Sequence, residues 1–218
     1  TVAGIGAAAH EQALTGRVAA ALARVTGRPV AWRAVGRSGA TARDAAAHLV
    51  PILGDARVDA VVVALGVNDT LRFRPPSRWT RDVERLIGAI RARVGPAPVV
   101  LAGVPPMQCF PALPQPLRAV LGARARRLDA ALARVPGRIA AAAHVPMRTD
   151  LAAHFFCADG FHPSEEGYAV WGERLAAEVA RLLHEGDWNA DAGAVGRLPD
   201  CPTAAHSAGR RTIISETP

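Results

Sequence analysis

The stretch Val58-Asp59-Ala60-Val61-Val62-Val63-Ala64-Leu65-Gly66-Val67-Asn68-Asp69 decides the fold. Apart from Asp59, its first eight residues are apolar without alternation, which suits a strand covered on both faces, as in the centre of a parallel sheet. Gly66 ends the strand. The polar pair that follows stands at the carboxyl end of a strand, where open α/β sheets gather their reactive groups.

Outward from this strand, short β-branched runs alternate with long amphipathic stretches, each punctuated by Gly or Pro, and this is the signature of an α/β domain. Toward the N-terminus the periodicity predicts a helix over 11–25 closed by Gly27, a strand over 29–35, a Gly36-Arg37-Ser38-Gly39 turn and a helix over 41–53. Toward the C-terminus it predicts a helix from a Ser77 cap to about 94 and a buried strand over 98–104. A proline-rich loop to 116, a helix over 117–135, a strand within 138–144 and a helix from a Ser164 cap to about 184 follow. From 186 to 218 periodicity fails and Gly, Pro, Ser and Thr rise, so 186–218 reads as a flexible C-terminal tail behind a domain spanning 1–185.

Composition narrows the function. The chain has 218 residues with a formal net charge of +7, and all 26 basic residues are arginine. Lysine chemistry, whether Schiff base or phosphate loop, is therefore excluded. The arginines are scattered through alanine-rich helices, and only 5% of residues are aromatic, a pattern that argues against a nucleic-acid partner. The longest apolar runs fall far short of a transmembrane segment. Cys109, Cys157 and Cys201 match no metal knuckle or redox pair.

Three clusters carry chemistry. Asp159 and His162, three residues apart on a tight turn, suit a carboxylate that accepts the imidazole Nδ1 proton and leaves Nε2 as a base; the plainer reading is a loop acid beside a turn histidine. Asn68 after Gly66 suits an amide donor to a developing oxyanion, or an asparagine tolerating a left-handed turn. Gly39 offers a backbone N–H where a side chain would block approach, or simply makes its turn. Other groups have weaker patterns. A zinc set of His144, His154 and Asp159 lacks ligand spacing, Cys157 has no second base in sight, and Arg72 and Arg74 suit either an anionic leaving group or solvent.

In this order, Ser38-Gly39-Ala40-Thr41, Gly66-Val67-Asn68-Asp69 and Asp159-Gly160-Phe161-His162-Pro163 resemble the second, third and last motif blocks of the SGNH/GDSL hydrolase superfamily of serine esterases and lipases. The resemblance implies a flavodoxin-like three-layer α/β/α sandwich around a parallel sheet. It implies hydrolysis of a small-molecule carboxylic ester or thioester through a serine, with no metal or cofactor. His162 would be the base and Asp159 its orienter, and Asn68 would share the oxyanion hole with the N–H of Gly39, for which Gly36 is the runner-up. The asparagine that often opens the second block is replaced by Ala34.

Thr1-Val2-Ala3-Gly4-Ile5-Gly6 resembles the segment that follows the family's Gly-Asp-Ser serine. The resemblance thus puts the nucleophile immediately before Thr1 and the family's first strand between the strands at 29–35 and 58–65. Without that strand its two neighbours would have unpaired ladders, and the chain without the serine is expected to be inactive. Thr1 acting as its own N-terminal nucleophile conflicts with the alternating α/β pattern. A noncatalytic SGNH-like binding or scaffold domain is the alternative from another class.

Overall fold

The computed structural model describes residues 7–148, 151–185 and 210–214, the last as backbone only. In chain order the regular elements are α1 (Leu14–Thr26), β1 (Val30–Ala34), α2 (Ala42–Asp44), β2 (Ala60–Ala64), α3 (Val67–Leu71), α4 (Pro76–Val94), β3 (Val99–Ala102), α5 (Leu117–Leu132), β4 (Ala142–Val145), α6 (Glu165–Glu185) and β5 (Arg210–Ile214). All strands pair parallel, in the order β1-β5-β2-β3-β4.

Successive side chains of a strand point to opposite faces, and β2 divides its residues accordingly. Val61, Val63 and the following Leu65 pack with Trp79, Val83, Leu86 and Ile87 of α4 and with Leu121 and Leu128 of α5. Ala60, Val62 and Ala64 pack with Leu14, Val18 and Leu22 of α1 and with Tyr168, Leu175 and Val179 of α6. The sheet is thus covered on both sides, which is the three-layer sandwich expected, and the unalternating run of β2 is its physical cause.

The seat between β1 and β2, where the resemblance puts the family's first strand, holds β5. Its residues pair with Val30 through Ala34 on one side and with Ala60 through Val62 on the other. Of the stretch 186–218 expected to be a flexible tail, 210–214 therefore form a central strand, and 186–209 and 215–218 lie outside the described residues. Unpaired backbone groups in the middle of a sheet are costly, and β5 satisfies both neighbours.

Two local expectations are corrected. The helix expected over 41–53 begins with a Thr41–Asp44 capping box but passes through a wide turn at Ala45–Leu49 into a tight one at Val50–Ile52, where Pro51 has no N–H to continue the ladder. Ser77 does not cap α4. The helix starts two residues earlier than that cap implies, at Pro76, whose preset φ and missing N–H suit the first helical position. Elsewhere the caps are as expected: Gly27 closes α1 at φ 65°, and the Ser164 hydroxyl accepts the Gly167 N–H at 3.2 Å while Glu165 and Glu166 sit in the first turn of α6.

Candidate active site

Gly66 terminates β2 with φ 119°, and a Cβ there would lie 2.7 Å from Val104 Cγ2, so both conformation and space demand glycine. The turn runs straight into α3. Asn68 therefore sits on a short helix rather than in a left-handed turn, and it donates one amide hydrogen to Ala40 O at 3.0 Å. The side chain lines the cavity described below. Its second amide hydrogen is unused among the described residues.

The loop after β1 is tied to α3 at three points. Besides the Asn68 contact, Ala42 N–H donates to Asp69 Oδ2 at 3.2 Å and Arg72 Nη2 donates to Gly39 O at 3.2 Å. Gly39 has φ 77°, and among the described residues none but its chain neighbours stands within 4 Å of the place a Cβ would take. Its N–H has no acceptor among the described residues. Asp69 is fully buried, and burial pushes its carboxyl up to about 6, against the lowering effect of the Ala42 N–H.

The third loop precedes α6 and is folded on itself. Cys157 N–H donates to His162 O at 2.9 Å, Ser164 N–H to Phe155 O at 2.9 Å, and Gly160 turns the chain at φ 64°. This brings His162 Nδ1 to 2.6 Å from Asp159 Oδ2. Burial acts to raise the Asp159 carboxyl, but hydrogen bonds from the Cys157 thiol, the His162 ring and the backbone N–H groups of His162 and Phe161 outweigh it. The carboxyl is held far below the usual carboxylate range. An ionised carboxylate accepts only, so Nδ1 carries the proton, and in the neutral imidazole Nε2 is the nitrogen with the free lone pair.

These loops meet around one cavity of about 320 Å³, whose lining includes Gly39, Asn68 and His162 together with Ser38, Leu65, Phe110 and Trp171. Asp159 stands behind His162, outside the lining. Of the residues singled out in the sequence, the structure thus brings Gly39, Asn68 and His162 to one wall-to-wall space with Asp159 in support. From the proline-rich loop, Pro105 and Phe110 reach the cavity, whereas Met107 and Leu113 are buried in the core.

The remaining candidates take other roles. Arg74 pairs with the buried Asp82, Arg72 lies 3.6 Å from Asp44, and neither arginine lines the cavity. Burial and the hydrogen bond to Asp159 push the Cys157 thiol up, the reverse of what a thiolate nucleophile needs. His144 Nε2 lies 2.8 Å from Asp129 Oδ1, and no three metal-ligating side chains converge among the described residues. Thr1 lies outside them. Sequence reasoning missed the buried position of Asp69 and the aromatic walls Phe155, Phe156 and Phe161, although the Phe155-Phe156 pair beside the Asp159 motif was a visible signal.

Comparison with known proteins gives the fold and the family. A GDSL-like esterase of Mycobacterium tuberculosis is 30% identical over 200 residues, and the match covers 85% of this chain and 60% of that protein. The chain thus spans less than two thirds of the curated relative's length. Among solved structures, the psychrotrophic esterase EstA from a Pseudoalteromonas species superposes with a TM-score of 0.60 at 16% identity, covering 84% of this chain and 93% of that one. TesA gives 0.60 at 23% identity, covering 83% and 94%. At these identities the two structures show a shared fold. The sequence profile of the GDSL-like lipase/acylhydrolase family matches residues 1–170, and the chain belongs to that family.

Proposed function

We propose that this site hydrolyses a carboxylic ester or thioester by a serine, histidine and aspartate mechanism, with the serine supplied by the residue immediately ahead of Thr1. The observation that carries the reading is the 2.6 Å contact between His162 Nδ1 and Asp159 Oδ2 at the rim of a cavity that Asn68 and Gly39 also line. Family membership and the likeness of Thr1–Gly6 to the segment after the family's serine support it.

In this reading His162 Nε2 takes the serine proton as Oγ bonds to the ester carbonyl carbon, and Asp159 stabilises the imidazolium that forms. The carbonyl electrons move onto oxygen, which receives hydrogen bonds from Gly39 N–H, the free amide hydrogen of Asn68 and the serine's own N–H. Collapse expels the alcohol or thiol, which leaves with the proton from His162. Water then gives its proton to His162 and attacks the acyl-serine, releasing the acid and restoring the serine. The 218-residue chain by itself is inactive in this proposal.

The test compares the 218-residue chain with one extended through the residues encoded upstream, using p-nitrophenyl acetate hydrolysis and fluorophosphonate labelling read by peptide mass spectrometry. The expected result is turnover and a single adduct on the serine before Thr1 in the extended chain only, both lost with His162→Ala. An adduct on Thr1, Ser38, Ser164 or Cys157, or turnover that survives His162→Ala, refutes the proposal.

A further inference from the structure

The chain contains five phenylalanines, and four of them, Phe110, Phe155, Phe156 and Phe161, line the same cavity. The fifth, Phe73, lies on the surface under the Arg124 guanidinium. In a chain with so few aromatics this concentration calls for a physical reason. Core packing accounts for Phe110 and Phe156, which are buried in the large hydrophobic cluster. Phe155 and Phe161 are held less completely: Phe161 packs against the edge of that cluster and Phe155 lies 4.1 Å from the His154 ring, yet both stay partly exposed where they line the cavity.

The rings have a definite arrangement. Phe110 is the hub, with its centroid 5.2 Å from Phe156 at 66° and 5.1 Å from Phe161 at 88°; Phe161 in turn stands 5.3 Å from the His162 ring at 63°. Edge-to-face contacts of this kind run without a break from the cavity wall to His162, and they favour one more ring over a flexible chain because each partner offers an edge or a face. The backbone holds the array together. Ala112 N–H donates to Gly160 O at 3.1 Å, which joins the loop carrying Phe110 to the loop carrying Phe161 and His162. A cavity of about 320 Å³ compares with roughly 150 Å³ for a dry apolar cavity that takes up benzene, so one ring and its ester group fit.

We infer that the cavity selects an ester bearing a single aromatic ring next to the reacting group, with Phe110 as the specificity-determining residue. That the ring belongs to an ester rests on the proposed function; that the cavity prefers a ring does not. A ring in the array touches the wall formed by Phe161, whose position between Asp159 and His162 places it on the same loop as the base.

Ketones, which no esterase can hydrolyse, separate the two statements. Propiophenone and 2-nonanone, matched at about ten non-hydrogen atoms, are titrated into the 218-residue chain by calorimetry or ligand-observed NMR. Propiophenone is expected to bind about fivefold more tightly. Phe110→Leu brings the two ketones to near parity, and Phe161→Leu, a partly exposed position, does so in part and serves if Phe110→Leu fails to fold by circular dichroism. Equal or tighter binding of 2-nonanone, an unchanged preference in the folded variants, or no binding of either ketone overturns the inference. Ring preference in a protein that proves to hydrolyse no ester leaves the inference standing and refutes the reaction. Ester hydrolysis without ring preference does the opposite.

Discussion

Replacing Asp69 by asparagine removes a titration that the fold has displaced. The Asp69 side chain is fully buried, Oδ2 accepts the Ala42 N–H at 3.2 Å, and Oδ1 has no partner among the described residues. Burial raises its carboxyl from an ordinary value of 3.8 to about 6, with nearby Asp82 adding to the rise and Arg74 opposing it. Below 3.8 folded and unfolded chains are both protonated at this residue. Between 3.8 and about 6 the unfolded chain has lost its proton and the folded one keeps it, so stability falls as pH rises; above 6 the loss is complete and constant. A displacement of about two units corresponds to about 3 kcal/mol. Asparagine keeps an oxygen for Ala42 and puts an amide hydrogen where Oδ1 stood, at a cost of about 1–3 kcal/mol that does not vary with pH. The difference in unfolding free energy between the two proteins, measured by urea titration at several pH values with tryptophan fluorescence, is therefore expected to move by about 2.4 kcal/mol in favour of the variant between pH 4 and pH 7, the rest of the displacement lying below pH 4. Titrating groups that are not coupled to Asp69 cancel in that comparison. A difference constant to within about 0.5 kcal/mol across the range refutes the reasoning.

Three further outcomes follow from the same geometry, the first two measured in the chain extended through the residues encoded upstream, where the proposed function puts the serine. Asp159→Asn turns the acceptor at His162 Nδ1 into a group that can donate, favours the wrong tautomer, and lowers kcat by on the order of 10³–10⁴-fold; a loss under tenfold contradicts the assignment. Asn68→Ala removes an oxyanion donor together with the tie to Ala40 O and lowers kcat by about 10²–10³-fold with KM little changed, whereas a rise in KM alone would assign Asn68 to ground-state binding. Gly160→Ala forces a side chain into φ 64° and a Cβ to 3.0 Å from Ala112 N, and is expected to cost about 1–2 kcal/mol with faster hydrogen exchange over 155–163; unchanged exchange there would show the loop to be set by other contacts.

The parts of the fold that could be read from the sequence are those whose cause is local. The run Val58–Leu65 announces burial on both faces, and the alternation of its side chains between the two hydrophobic clusters is the direct result. Gly66 and Gly27 mark φ values that only glycine takes without strain. β5 shows the opposite case. Arg210–Ile214 begins with two charged residues and lies in a stretch rich in turn formers, so no periodicity marks it, and its strand conformation comes from the two ladders of β1 and β2 on either side. Ser77 misled for a related reason: a good capping side chain lost to Pro76, whose advantage lies in its backbone.

The site divides along the same line. Asp159 and His162 were legible because three residues and one glycine turn suffice to bring them together. Asn68 and Gly39 were legible because strand ends in a parallel sheet converge, whatever lies between them in sequence. What no local pattern reveals is how the oxyanion side is held. Asn68, Asp69 and Arg72 all belong to α3 or its first following residue, and they fasten Ala40 O, Ala42 N–H and Gly39 O respectively. The short helix after β2 is therefore a clamp on the loop after β1, and Asn68 serves it with one amide hydrogen while the other faces the cavity. A clamp of this kind explains why a carboxyl as poorly solvated as Asp69 is tolerated beside it: the residue holds the Ala42 N–H at the start of α2, one turn from Gly39, at the cost of stability at neutral pH. The stability displaced by Asp69 and the geometry offered by Gly39 and Asn68 are in this way two consequences of one packing arrangement.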